Sequence, residues 1–151
     1  MASSDRDRLV SLFEAAVKAA DPRAAIAAHL PERPRGKTIV VGAGKAASQM
    51  AAAFEDLWEG PAEGVVVDRH GPVARTQAIK VMQAAHPVPY RAGFAASAAL
   101  FDAVKGLTED DLVVALISGG GSSLLPCPAG DLSFEDEVVV NRALLTSGAP
   151  I

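Results

Sequence analysis

The apolar positions of this chain switch between two spacings, and the switches divide it into alternating helices and strands. Leu9, Leu12, Phe13, Ala16 and Ala20 recur three or four residues apart, which puts them on one helical face. Ser4 and Asp7 form a capping pair at the start of that helix, and Asp21-Pro22 marks its end. A second short helix is predicted over residues 23–30, followed by a loop over residues 31–36. Residues 37–41, Lys-Thr-Ile-Val-Val, are β-branched and run into glycine, which predicts the first strand. Residues 45–58 place Met50, Phe54 and Leu57 on one helical face. Residues 64–68 (GVVVD) read as a second strand and residues 79–82 as a weaker third. Helical spacing returns over residues 92–105 through Phe94, Ala98, Phe101 and Val104. Residues 112–118 do not alternate but stay apolar up to Ser118, the pattern of a strand buried on both faces. Ser133 and Asp136 open a last helix that runs through Leu145 and stops near Gly148.

Strands alternating with helices predict an α/β fold: a Rossmann-like three-layer sandwich with a mostly parallel sheet. Residues 37–151 are expected to form this domain, with residues 1–36 as N-terminal helices packing on it. Such sheets take ligands beyond the carboxyl ends of their strands. Two strand ends here run directly into glycine-rich loops.

Composition narrows the classes. The 151 residues suit one domain, and 50% apolar with 21% charged residues excludes a disordered chain. The longest apolar stretch, residues 112–117, is far short of the roughly 20 residues of a spanning helix. Asp5, Arg6, Asp7 and Arg8 leave no room for a signal-peptide apolar core, and Cys127 alone forms no internal disulfide, so a cytoplasmic location is expected. A net charge of −4 and a pI near 5.3 argue against a nucleic-acid partner.

The first loop reads Gly42-Ala43-Gly44-Lys45-Ala46-Ala47. Glycine lets the backbone turn sharply, and the helix start that follows offers N–H groups and partial positive charge to an anion. Lys45 opposes that dipole at a cost of a few tenths of a kcal/mol unless an anion compensates, and the conflict hints at function. The bland alternative is a tight turn with a solvated lysine. The same loop fits G-x-G-x-x-A, a weak dinucleotide fingerprint, with Asp68 at the next strand end as the ribose-binding acid. A lysine directly after the second glycine does nothing for that reading.

The second loop is Ser118-Gly119-Gly120-Gly121-Ser122-Ser123. Three glycines can turn successive N–H groups to one side as an anion nest, and three serines add hydroxyls. A flexible linker is the alternative, but the loop lies between an apolar strand and Leu124-Leu125. No Gly-Lys-Ser/Thr follows the glycines, so it is not a Walker A loop. His86 stands in Ala85-His86-Pro87-Val88-Pro89, where it could polarise a substrate hydroxyl or serve structure alone. Asp68-Arg69-His70-Gly71 is a further charged turn, as readable as solvated surface as substrate contact.

Taken in order, VVGAGKAA (residues 40–47), AHPVP (85–89) and LISGGGSSLLPCPAGDLSFEDEVVVNRALLTSGAPI (116–151) resemble the N-terminal domain of the glycerate 2-kinase family, whose C-terminal domain is called MOFRL. The resemblance runs from about Thr38 onward. It implies ATP-dependent phosphorylation of D-glycerate to 2-phosphoglycerate with Mg²⁺. Lys45 matches the family's active-site lysine, and residues 118–123 match its substrate loop. The family has also carried the label hydroxypyruvate reductase, an NAD(P)-dependent reading of the same first loop. Lys45 and the incomplete G-x-G-x-x-G favour the kinase. A non-catalytic sugar-phosphate-binding module is the third reading, and a homodimer is compatible with all of them. Two positions depart from the pattern: Tyr90 stands where an acidic residue commonly follows His-Pro-x-Pro, and residues 68–72 replace a Lys-Tyr-Gly-His-like turn. The family's next motif, Asn-x-Val-Arg-Lys-His, and its C-terminal domain lie beyond Ile151. This chain is therefore expected to be one part of a longer two-domain enzyme, inactive without the other wall of the cleft.

Overall fold

A computed structural model describes residues 4–148. The elements in chain order are α1 (Asp5–Ala19), α2 (Pro22–Ala27), β1 (Thr38–Ala43), α3 (Ala47–Leu57), β2 (Glu63–Arg69), β3 (Ile79–Ala84), α4 (Ala92–Ala103), β4 (Leu112–Ile117), α5 (Gly121–Leu124) and α6 (Phe134–Ser147). The helix starts follow from local chemistry. Ser4 with Asp7, and Ser133 with Asp136, form complete capping boxes on α1 and α6, and Asp21 caps α2 with Pro22 in its first turn. Gly148 closes α6 in the left-handed conformation, which carries no steric penalty for glycine.

The four strands form one sheet in the order β3-β2-β1-β4, and every pair is parallel. Alternate residues serve opposite faces. Val40, Val66, Ile79 and Leu116 pack with Ala47, Ala51, Phe54 and Trp58 on the α3 face. Phe54 stacks on Trp58 at 5.1 Å between ring centres, an arrangement worth about 1 kcal/mol beyond its burial. Ala43, Val67 and Ala84 pack with Ala96 of α4 and Leu124 of α5 on the other face. This is the expected α/β sandwich, with helices on both faces of a parallel sheet.

Parallel strands ordinarily need a helical crossover, yet β2 and β3 are joined by residues 70–78 without one. Glu55 of α3 holds that connection: its carboxylate accepts the N–H groups of Gln77, Ala78 and Ile79 at 2.6, 2.8 and 2.7 Å.

Two expectations differ from what is found. The apolar run of residues 112–118 predicts a strand buried on both faces, but β4 is the edge of the sheet. Val113 is 43% and Ile117 64% exposed, because α4 crosses β1, β2 and β3 and no described element covers that face of β4. The N-terminal helices are both expected against the domain, and only one is found there. α2 lies on α3, with Ile26 on the core and Arg23 paired to Asp56 at 2.7 Å, whereas α1 has no buried residue. α6 is held at its N-terminal end, where Phe134 packs edge-on to Phe94 and Glu135 pairs with Arg91.

Candidate functional site

The strand order creates the site. From β1 the chain moves outward to β2 and β3, then returns to place β4 on the other side of β1. β1 leads into α3 on one face, and β4 leads into α5 on the other. Where successive connections leave neighbouring parallel strands in opposite directions, a crevice opens beyond their carboxyl ends. The two glycine loops flank that crevice.

They are stitched together by backbone and by one hydroxyl. Ser118 N–H donates to Ala43 O at 3.0 Å, and Lys45 N–H to Gly119 O at 3.0 Å. The Ala46 N–H donates to the Ser118 hydroxyl at 3.0 Å. A side chain on Gly44, whose φ is +137°, would collide with Ser118, so only glycine permits this approach. Gly42 lies equally close to the Leu116 carbonyl.

These bonds occupy the first loop. Gly44 N–H donates to Val67 O at 3.1 Å, Ala47 N–H to Gly44 O at 3.1 Å, and Ser48 N–H to the Asp68 carboxylate at 3.0 Å. Together with Lys45 and Ala46, every N–H from residue 44 to residue 48 has a partner within the protein. The loop amides that a pyrophosphate would need are therefore already bonded to protein, and a buried carboxylate faces the α3 dipole. What the first loop offers the crevice is the Lys45 side chain, which is exposed and, among the described residues, has no hydrogen-bond or carboxylate partner.

The second loop is the reverse case. Gly120 adopts φ +86° and ψ 11°, and the N–H groups of Gly119 and Gly120 meet no protein acceptor among the described residues. Gly121 and Ser122 follow in the first turn of α5, where N–H groups have no intrahelical partner. A β-carbon on Gly120 would stand 2.7 Å from His86 Nε2 and 3.3 Å from Lys45 Cγ, so both side chains flank this one position. The result is a cation, an imidazole and a run of amide donors around one point, an arrangement suited to anionic oxygens.

The structure thus brings Gly42, Gly44, Lys45, His86, Gly119, Gly120, Gly121 and Ser122 to one place. The hydroxyls of Ser118 and Ser123 are at the same place but bond inward, Ser123 donating to Gly120 O at 3.2 Å. Asp68 departs from its expected part as a ribose-binding acid. It is 4% exposed, and its carboxylate accepts the Ser48 N–H and hydroxyl and the Arg69 N–H, at 3.0, 2.6 and 2.7 Å. Ser48 and Glu55, which organise the surroundings, carry no signal in the sequence. Their partners lie 20 or more residues away, and no local spacing announces such bonds.

The fold and the crevice define an α/β protein with a parallel sheet and two glycine loops side by side at neighbouring strand ends. The family described as a domain of unknown function, DUF4147, matches residues 8–151, and the chain belongs to that family. A protein of Agrobacterium vitis, provisionally named a hydroxypyruvate reductase, is 50% identical over 149 residues, covering 98% of this chain and 34% of its own. A glycerate 2-kinase of Pyrococcus horikoshii is 38% identical over 117 residues, 78% of this chain and 26% of that one. The crystal structure of a glycerate kinase from Thermotoga maritima superposes with a TM-score of 0.79 at 32% identity, covering 94% of this chain and 35% of its own. The chain spans about a third or less of the length of these relatives.

Proposed function

We propose that this chain supplies the anion-binding wall of a glycerate 2-kinase, transferring phosphate from ATP to the 2-hydroxyl of D-glycerate as part of a longer, two-domain enzyme. The carrying observation is the contrast between the loops: the first has its amides occupied and presents only Lys45, while Gly119 and Gly120 present free amides beside it. Phosphoryl transfer asks a protein chiefly to position reactants and neutralise spreading charge, which a lysine and an amide nest do. In this reading the Lys45 ammonium faces the oxygens of the transferring phosphoryl group. The Gly119–Gly120 amides hold the glycerate carboxylate or a phosphate oxygen, and His86 borders the same space.

The donors fit an anionic group such as the polyphosphate of ATP. Among the described residues no three His, Cys, Asp or Glu side chains come together, and Mg²⁺, which is usually bound through one or two carboxylates and the substrate's own phosphates, would enter with ATP.

The name of the Agrobacterium vitis relative keeps an NAD(P)-dependent reductase as the second reading. Against it stands the first loop, whose amides would have to hold the cofactor's pyrophosphate and are already bonded to protein. The third reading is a sugar-phosphate-binding module without turnover. The test joins this chain to the remaining length found in its relatives and assays both reactions. ADP formation dependent on D-glycerate supports the kinase. NADH oxidation with hydroxypyruvate overturns it, and sugar-phosphate binding with neither turnover replaces both enzyme readings.

A further inference from the structure

We infer that Asp68 and Ser48 are positioning residues that set the Lys45 side chain against Gly120, a role that rests on the anion-site reading above. Both are sealed from solvent, Asp68 at 4% and Ser48 at 2% exposure. The Ser48 hydroxyl donates to Asp68 Oδ2 at 2.6 Å and accepts the Ala74 N–H at 3.2 Å. The Ser48 N–H donates to the same Oδ2 at 3.0 Å, and the Arg69 N–H donates to Oδ1 at 2.7 Å. A hydroxyl that both donates and accepts in a buried network has its rotamer fixed. The network therefore ties three segments, the end of β2, the first turn of α3 and the β2–β3 connection, to one carboxylate.

Lys45 lies three residues before Ser48. Nothing among the described residues grips its ammonium, so the placement of its Cβ and Cγ beside Gly120 rests on its backbone. One side of that backbone is fixed by the Lys45 N–H on Gly119 O. The other continues into the first turn of α3, whose angle the Asp68–Ser48 pair sets from the β2 side. The pair also places negative charge at the α3 N-terminus, where it is favourable and where it discourages an anion from settling. Asp68 thereby leaves the second loop and Lys45 as the place for the ligand, without touching the ligand itself.

The test uses the 151-residue chain labelled for NMR. The wild-type chain is expected to show a cross-relaxation peak between the Lys45 γ-methylene and the Gly120 α-protons, since Lys45 Cγ lies 3.3 Å from the position of a β-carbon there. Asp68→Asn removes the charge; Ser48→Ala removes only the hydroxyl and decides alone if the first variant does not fold. The variants are expected to keep a folded amide spectrum with the Phe54 core peaks intact. Their Lys45–Gly120 peak should vanish, and inorganic phosphate should bind about tenfold more weakly. A Lys45–Gly120 peak of wild-type intensity in folded Ser48→Ala overturns the proposal. A wild-type chain that shows the peak but does not respond to phosphate contradicts the anion reading instead, and the peak intensities in the variants still decide the positioning role.

Discussion

The hydroxyl oxygen of Ser118 accepts the Ala46 N–H at 3.0 Å, so a residue just past β4 holds the start of the helix that follows β1. Ala46 is the residue at the N-cap position of α3, and the partner of its N–H lies 72 residues away in the sequence. Ser118→Ala should therefore leave the half-buried Ala46 N–H without its acceptor, lowering stability by about 1 kcal/mol. Urea denaturation checks it. An unchanged midpoint would mean that water replaces the hydroxyl without penalty.

Gly120→Val should damage the site without removing any functional group. The left-handed φ of +86° disfavours a branched residue, and the new β-carbon meets His86 Nε2 at 2.7 Å. A stability loss of about 1–3 kcal/mol is expected, together with loss of phosphate binding. Chemical denaturation and calorimetric titration with inorganic phosphate report the two effects separately, and normal binding by this variant would remove the nest from the site.

Lys45→Ala should leave stability unchanged, because the side chain is exposed and forms no ion pair among the described residues. In the longer enzyme it should lower turnover by at least about a hundredfold, or about 2.7 kcal/mol of transition-state stabilisation. Steady-state kinetics with D-glycerate measure this, and wild-type turnover would end the proposed role.

Stability should fall in acid through Asp111 among others. Its carboxylate accepts the Lys37 N–H at 2.7 Å, the Thr108 N–H at 2.7 Å and the Thr108 hydroxyl at 3.0 Å. These bonds, the Lys37 amide foremost, hold its carboxyl below the ordinary 3.8. A lowered folded-state value means stabilisation that is present above the unfolded value and is lost as pH falls through the folded one. The serine caps push Asp7 and Asp136 in the same direction. Denaturation midpoints followed downward from about pH 5 should decline less steeply in Asp111→Asn than in the wild type. Parallel acid limbs would exclude Asp111 as a contributor.

The exposed apolar surface should drive self-association of the 151-residue chain. Leu9, Leu12 and Phe13 of α1 are each about two-thirds exposed, and Val113 and Ile117 face outward on an edge strand without a charge, proline or bulge. Sedimentation velocity should show concentration-dependent oligomers, reduced by Ile117→Lys. A monodisperse monomer that phosphorylates glycerate by itself would contradict both this prediction and the need for a second cleft wall.

Much of the fold is legible in the residues. Strand runs such as residues 64–68, the capping boxes at Ser4 and Ser133, and the two glycine loops are local signals, and local chemistry determines them. Non-local facts are not legible. Residues 112–118 read as doubly buried because hydrophobicity records what a strand could bury, not whether another element covers it. The order β3-β2-β1-β4, which sets the two loops side by side, is encoded by no single segment. Asp68 misleads because a carboxylate at a strand end looks alike whether it faces a ribose or a buried serine.

If the loops divide their work in this way, an anion binds at the second loop with Lys45, and not on the amides of the first. Titration of the labelled chain with inorganic phosphate, followed through backbone amide and lysine side-chain shifts, separates the two sites. Saturable shifts are expected at Gly119, Gly120, Gly121 and Ser122 and at the Lys45 ε-methylene. Saturable shifts confined to the amides of residues 44–47, with the second loop unmoved, would contradict the assignment.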